Sequence, residues 1–176
     1  SSGDYVWAKN FGGAGNRGGL SVAVDSSGNV YTTGYFSGTV DFDPGAGTAE
    51  LTAGGGEVWV HDVFVSKLDS SGDYVWAKSF GGTGTDYGYS VAVDSSGNVY
   101  TTGYFSGTAD FDPGSGTTNL TSNGGIDVFV SKLDSSGNLA NPSGVTVSKT
   151  TATVTEAGAS DSFTVVLDTQ PASDVV

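Results

Sequence analysis

Apolar and polar residues alternate along this chain in short stretches that are separated by turn sequences. Leu20, Val22 and Val24 alternate with small or polar residues, which is the pattern of a half-buried β-strand. The sequence DSSGN at 25–29 follows, and its glycine is placed for the positive φ of a hairpin turn. The same reasoning predicts three more strands, at 30–36, 63–68 and 74–80. The chain is therefore predicted to be all-β.

Most of the chain is an internal repeat. The first ten residues, SSGDYVWAKN, recur as SSGDYVWAKS at 70–79, which sets a period of 69 residues. The stretch SVAVDSSGNVYTTGYFSGTVDFDPG from Ser21 recurs from Ser90 with a single change, Val40 to Ala109. DVFVSKLDSSG recurs after only 65 residues, so the first unit carries four extra residues just before it.

Several predicted strands are apolar on both faces, notably those that contain VFV and YVW. Such strands need a neighbouring layer on each side of their sheet. Tandem four-stranded antiparallel sheets with both faces covered are the blades of a β-propeller. The second unit is predicted to place its strands at 89–94, 98–105 and 127–134.

Three segments of the repeat resemble a known family. SVAVDSSGNVYTTG, DVFVSKL and WAKSFGGTGTDYG are similar to the bacterial β-propeller repeat known as the SBBP, or seven-bladed, type, over residues 1 to about 138. The resemblance implies a secreted or cell-surface protein of bacterial origin, and it implies no particular activity.

The predicted strands do not add up to whole blades. The chain begins with an orphan fourth strand at 4–11, completes one blade, and lacks the fourth strand of the next after Asn138. A closed ring needs about four to eight blades. We therefore expect residues 4–11 of one molecule to complete the last blade of another, in a head-to-tail ring or filament. The alternative is that the chain is an excised piece of a longer tandem array.

The composition changes at Asn141, so residues 1–140 and 141–176 are predicted to form separate units. The C-terminal unit, residues 141–176, resembles the opening strands of a Calx-β or immunoglobulin-like sandwich, with three strands around Val145, Val154 and Val165. That resemblance places Glu156 where Calx-β domains carry a calcium-ligating acid. The alternative is a solvated glutamate in a turn.

Charge and composition exclude several classes of function. The net charge of −13 would repel nucleic acid and anionic lipid, and no apolar run approaches the roughly 20 residues that span a bilayer. The chain has no cysteine and one histidine, so thiol chemistry is absent and histidine-based chemistry has little material. We expect no nucleic-acid partner and no membrane insertion.

Two copies of the sequence DFDPG are candidate calcium sites, with the carboxylates of Asp41, Asp43, Asp110 and Asp112 as ligands. In an extended stretch, Asp-x-Asp places both carboxylates on one side, and Ca²⁺ takes 6–8 oxygen ligands. In the alternative interpretation, the second aspartate of each copy starts a Pro-Gly turn and the first is solvated.

The sequence favours a structural role over catalysis. No residue set supports turnover, and His61 has no neighbouring nucleophile or second histidine. The predicted function is a structural repeat module for adhesion, matrix or filament assembly. One alternative is a binding module in which Trp59, Tyr35 and Tyr104 contact a glycan, although burial at a sheet edge is the expected state of Trp59. Another is an enzymatic propeller.

Overall fold

The computed structural model describes residues 3–55 and 59–139, together with two short strands near the C-terminus. All regular elements of this described part are β-strands, which confirms the predicted all-β class. None of it is a helix that is long and apolar enough to cross a membrane. The chain divides into two compact units, Ser1–Ala140 and Asn141–Val176.

The first blade is a four-stranded antiparallel sheet in which neighbours in sequence are neighbours in space. Its strand order is β2, β3, β6, β7, and the paired stretches include 30–36 with 62–68 in full register. A small separate sheet lies at the blade's end, in the order β1, β4, β5. The elements are β1 (Gly12–Gly13), β2 (Arg17–Val24), β3 (Val30–Phe36), β4 (Thr39–Asp41), β5 (Glu50–Thr52), β6 (Asp62–Leu68) and β7 (Tyr74–Gly82).

The second blade has three strands in the order β8 (Tyr87–Val93), β9 (Val99–Asp110) and β10 (Asn119–Leu133). By the repeat, β9 corresponds to β3 and β4 joined together, and β10 to β5 and β6. The outer edge of β10 pairs with no fourth strand among the described residues. The two blades therefore form an incomplete propeller.

The four DSSG segments form hairpin turns, as predicted from the first of them. In the first, Asp25 Oδ1 accepts hydrogen bonds from the backbone N–H groups of Ser27 (2.9 Å) and Asn29 (3.0 Å). Gly28 takes a φ of 82°, the left-handed conformation that an L side chain rarely adopts. The turns at Asp69, Asp94 and Asp134 repeat this arrangement.

The segments at 37–61 and 106–126, which lie between the second and third predicted strands of each repeat, also contain β-structure. In the first unit the connection contains the hairpin of β4 and β5, where Thr39 pairs with Thr52. In the second unit the same residues simply extend β9 and β10. This hairpin had no signal in the sequence because its strands are short and flanked by glycine.

The orphan strand predicted at 4–11 is not a strand. Residues 3–11 have no sheet pairing, whereas their repeat counterpart, 74–80, lies within β7 and pairs with β6. A strand needs a hydrogen-bonding neighbour, and none of the described residues pairs with this segment. Its pairing with another molecule stays a prediction.

The main core lies between the two blades. Val63 and Val65 of β6 share one buried cluster with Val91 of β8. The backbone comes close here: a Cβ added at Gly88 would lie 2.8 Å from Val63 Cγ1 and would also clash with Thr33 Oγ1. Glycine at position 88 thus permits close stacking of the blades.

In the C-terminal unit, residues 141–176, β11 (Val145–Val147) pairs antiparallel with β12 (Val165–Leu167). These strands coincide with two of the three predicted there. The third, around Val154, and the candidate ligand Glu156 lie outside the described residues.

Candidate functional site

Two buried aspartates meet where the blades join. Asp62 begins β6 and Asp86 directly precedes β8. Both carboxylates flank Gly81, since a Cβ placed there would lie 2.6 Å from Asp62 Oδ1 and 2.8 Å from Asp86 Oδ2. Burial raises the pKa of each carboxyl to about 6, and the charge of Asp86 adds to the shift at Asp62.

Backbone N–H groups hold both carboxylates in place. Asp86 accepts hydrogen bonds from Gly82 (3.0 Å) and Ser106 (3.1 Å), and Asp62 Oδ2 accepts one from Gly54 (2.8 Å). Asp62 Oδ1 is buried with no hydrogen-bond partner. These hydrogen bonds connect the start of β8 to both blades. The two carboxylates repel each other when both are charged, so the pair also has an electrostatic cost.

His61 packs beside this pair among tyrosine rings. Its ring centroid lies 5.0 Å from that of Tyr35 and 5.4 Å from that of Tyr87, and its Nδ1 is 3.4 Å from the Tyr87 hydroxyl. Burial lowers the pKa of the imidazole, and its Nε2 has no hydrogen-bond partner. Across residues 3–55 and 59–139, no group of three or more acidic, histidine or cysteine side chains suits a metal ion.

The sequence analysis did not predict that these residues form a junction, although the repeat contained a signal for it. The two units are nearly identical, yet they differ at the positions that line the junction. The junction holds Asp86, Tyr87, Tyr89 and His61, where the other copies have Arg17, Gly18, Leu20 and Ile126. A comparison of the two units position by position would have marked this surface.

One face of the second blade is apolar and open to water. Val128 and Val130 are 78% and 74% exposed, whereas their repeat counterparts Val63 and Val65 are 1% and 0% exposed. In the first blade, β6 pairs with a fourth strand, β7, and a following blade covers its valines, whereas β10 has neither neighbour among the described residues. We call this surface the trailing face; it consists of Ile126, Val128 and Val130.

The first blade leaves the complementary face open. Val22 is 63% exposed, whereas its counterpart Val91 is 7% exposed because the preceding blade covers it. We call this surface the leading face; it consists of Leu20, Val22 and Val24 of β2. Each open face thus matches one half of the junction that the chain already contains.

Residues 5–11 are held in the position of a strand that belongs to a preceding blade. The Trp7 indole N–H donates to the carbonyl of Ser70 at 3.1 Å, just as Trp76 of β7 donates to Ser135 at 3.2 Å. Lys9 is 3.5 Å from Asp73, and Phe11 packs against Phe42 with ring centroids 5.2 Å apart. The segment is therefore anchored by one edge while its backbone remains available for pairing.

The DFDPG carboxylates close their own loops. Asp41 Oδ1 accepts hydrogen bonds from the backbone N–H groups of Asp43 (2.9 Å) and Ala49 (2.8 Å), and Asp43 Oδ1 accepts one from Gly45 (2.7 Å). Asp110 and Asp112 repeat these bonds in the second unit. One oxygen of each carboxylate is thus engaged, and a Ca²⁺ ion, which takes 6–8 oxygen ligands, would need further oxygens from the loop. Calcium binding at these loops stays a prediction.

The three aromatic residues of the glycan hypothesis lie in different surroundings. Trp59 is 73% exposed, so the expectation that it packs at an edge was wrong. The reason is that it lies on the four-residue insertion, and its described contact is a carbonyl 3.5 Å from Thr85 Oγ1. Tyr35 and Tyr104 flank Tyr87, with centroid distances of 4.4 and 5.2 Å.

The buried aspartates predict a stability that rises on mild acidification. Because their folded pKa of about 6 lies above the ordinary aspartate value of 3.8, the folded state binds more protons between these two pH values. Their contribution to stability is fully present below pH 3.8 and is lost as pH rises through 6. Urea unfolding should therefore show greater stability at pH 4.5 than at pH 7.

The variant Asp62→Asn should flatten this pH dependence and stabilise the protein at pH 7 by about 1–2 kcal/mol. Asp127→Asn is the matched control, because Asp127 is the repeat counterpart of Asp62 without a following blade. Equal effects of the two substitutions would contradict the assignment.

The variants Asp41→Ala and Asp110→Ala should each lower the melting temperature, with or without calcium. Each leaves two backbone N–H groups without their acceptor. These hydrogen bonds also lower the pKa of Asp41, so its contribution to stability is present above pH 3.8 and lost in stronger acid. A calcium-dependent rise in melting temperature that disappears in Asp41→Ala would instead support the calcium site.

Comparisons with known proteins point to the same architecture. Residues 75–111 match the family described as Beta-propeller repeat, SBBP. An uncharacterized WD repeat-containing protein of Acanthamoeba polyphaga mimivirus is 30% identical over 118 residues, which is 59% of this chain and 8% of the viral protein. The chain thus spans less than a tenth of that relative's length. Together with the two blades, these matches show that the chain carries β-propeller repeats.

Proposed function

We propose that this chain is a structural repeat module that associates head to tail with further copies of itself. The observation that carries the proposal is the pair of open faces. The trailing face of the second blade is the counterpart of a surface that the first blade buries, and the leading face is the counterpart of the surface that buries it. A second copy placed on the trailing face would reproduce the internal junction.

The same placement would complete the three-stranded second blade. In the first blade, β6 pairs with β7 in a register that includes Val63 with Phe80, Ser66 with Ala77 and Leu68 with Tyr74. Transferred by the repeat, Val128 of one copy pairs with Phe11 of the next, Ser131 with Ala8, and Leu133 with Tyr5. The last of these pairs would replace the single bridge that Leu133 forms with Leu139 of its own chain. Residues 5–11 would then become the missing fourth strand.

The energies favour a contact that uses both the faces and the strand. Full burial of a valine contributes about 1.5–3 kcal/mol, so the four valines of the two faces would contribute about 6–12 kcal/mol. Association itself costs about 4–15 kcal/mol. The faces alone therefore give weak binding, and the added strand pairing makes the contact stable.

The proposed setting is outside the cell, in adhesion or a matrix, and it rests on the resemblance to bacterial SBBP repeats. A structural role is further supported by the position of the titratable groups. His61, Asp62 and Asp86 are buried inside the junction, away from any substrate. Whether the assembly closes as a ring or extends as a filament depends on the rotation between blades.

Sedimentation velocity of the full chain should show concentration-dependent association. Gly19→Ala should abolish it, because Gly19 is the counterpart of Gly88, where an added Cβ would clash with the preceding blade. Gly19→Ala should leave the single chain folded, since its nearest neighbour, Thr32 Cγ2, would be 3.6 Å away. The matched variant Gly88→Ala should instead lower the melting temperature by disturbing the internal junction.

Disulfide trapping tests the strand register, because the chain contains no cysteine. A mixture of Ser131→Cys and Ala8→Cys chains should form a heterodimer on oxidation. Lys9→Cys is the control: position 9 is adjacent, but its side chain points to the opposite face of the strand. A wild-type chain that remains a folded monomer at all concentrations would rule out this function.

A second candidate function, glycan binding, is favoured by the exposure of Trp59. An exposed indole can stack on the apolar face of a sugar ring, and such contacts are typical of binding surfaces. On a glycan array, the wild type should bind and Trp59→Ala should lose the signal. Trp7→Phe is a suitable control, because Trp7 is committed to Ser70. An array without signal for the wild type would eliminate this candidate.

A further inference from the structure

The junction between two copies would not be identical to the junction inside the chain. Four positions change when the second blade of one copy meets the first blade of the next. The new junction would have Ile126, Arg17, Gly18 and Leu20 where the internal junction has His61, Asp86, Tyr87 and Tyr89. The aspartate at position 62 is kept, as Asp127. The shared residues supply the packing, so these positions determine how the two junctions differ.

Charge is the main difference. Inside the chain, two buried carboxylates face each other across Gly81, and each resists ionisation. Between copies, a guanidinium takes the place of the second carboxylate. Arginine is always charged and offers five N–H donors in a planar arrangement that matches a carboxylate. An unfavourable pair is thereby replaced by an attractive one.

The surroundings of Arg17 have room for this contact. Arg17, Gly18, Gly19 and Phe11 line a cavity of about 210 Å³ on the side of the first blade that would face a preceding blade. In the second blade, Tyr87 stands where Gly18 stands here, and the Tyr35 ring lies against Gly18, since a Cβ placed there would be 2.8 Å from Tyr35 Cε1. The Arg17 guanidinium is exposed and donates to the carbonyl of Gly15 at 3.0 Å, which uses one of its donors.

On the preceding copy, a backbone hydrogen bond already holds the Asp127 carboxylate in position. Its Oδ2 accepts a hydrogen bond from the backbone N–H of Asn123 at 3.0 Å, the counterpart of the bond from Gly54 to Asp62. The carboxylate therefore has the same anchor as Asp62, and the following blade is what it lacks. Its second oxygen corresponds to Asp62 Oδ1, the atom that has no partner inside the chain.

We infer that Arg17 of one copy forms an ion pair with Asp127 of the preceding copy, and that this pair directs the leading face to the trailing face of another copy. The inference rests on the proposed head-to-tail association and names the residues that make it specific. The partner is a second copy of this chain. The pair distinguishes this junction from contacts that would bring two aspartates together.

A charge-swap experiment on the full chain tests this ion pair by sedimentation equilibrium. Arg17→Asp places two carboxylates at the copy junction and should weaken association by at least about tenfold. Asp127→Arg places two cations there and should do the same. The double variant Arg17→Asp/Asp127→Arg restores opposite charges and should recover most of the wild-type affinity. Arg17→Asp should keep the melting temperature of the wild-type monomer, because Arg17 is exposed. Asp127→Arg loses the hydrogen bond from the Asn123 N–H, so its association is compared with that of the double variant, which loses the same bond.

The control keeps the change in net charge but moves it away from the junction. Ala46→Asp/Thr117→Asp lowers the net charge by two, as Arg17→Asp does, at exposed loop positions. This control should associate like the wild type. If the wild type associates and the swaps have no effect, the ion pair is overturned and the head-to-tail association stands. If the wild type stays monomeric, both are overturned.

Discussion

No blade in this protein can bury both of its faces alone. The clearest demonstration is the sequence DVFVSKL, which occurs once inside the junction and once at the open end. The first copy is buried along nearly its whole length, and the second alternates between buried and exposed residues. The sequence is the same in both places, so the neighbouring strand and blade determine whether the valines are removed from water. All other features of the fold depend on this requirement.

The requirement explains why the chain tolerates costly polar groups at its centre. Asp62 and Asp86 are buried in a protein that already carries a net charge of −13. In return, their carboxylates accept backbone hydrogen bonds from three separate segments, the turn at Gly54, β7 at Gly82 and β9 at Ser106. The aspartates thus fix the geometry of the junction, while the surrounding valines and aromatic rings supply the favourable energy.

The sequence predicted those parts of the fold that local pattern determines. The strand at 30–36 was predicted to the residue because its apolar positions alternate and turn residues flank it. Strand β2 begins earlier than predicted, at Arg17, since Gly18 and Gly19 carry no pattern. The buried aspartates could not be predicted from local pattern, because Asp62 becomes buried only when a blade 24 residues further along the chain packs over it. The strand predicted at this N-terminal segment, residues 5–11, is not observed for the same reason. A strand depends on a neighbour, which the local sequence does not specify.

The near identity of the two units also affects how the polypeptide reaches its native state. Residues 21–39 and 90–108 are identical, so during folding either stretch could take the place of the other in a sheet. Such exchange is a known hazard of tandem arrays, because the misassembled product keeps most native contacts. The residues that differ at the blade junction and in the four-residue insertion penalise the exchange. Sequence divergence at these positions therefore keeps each blade in its own place.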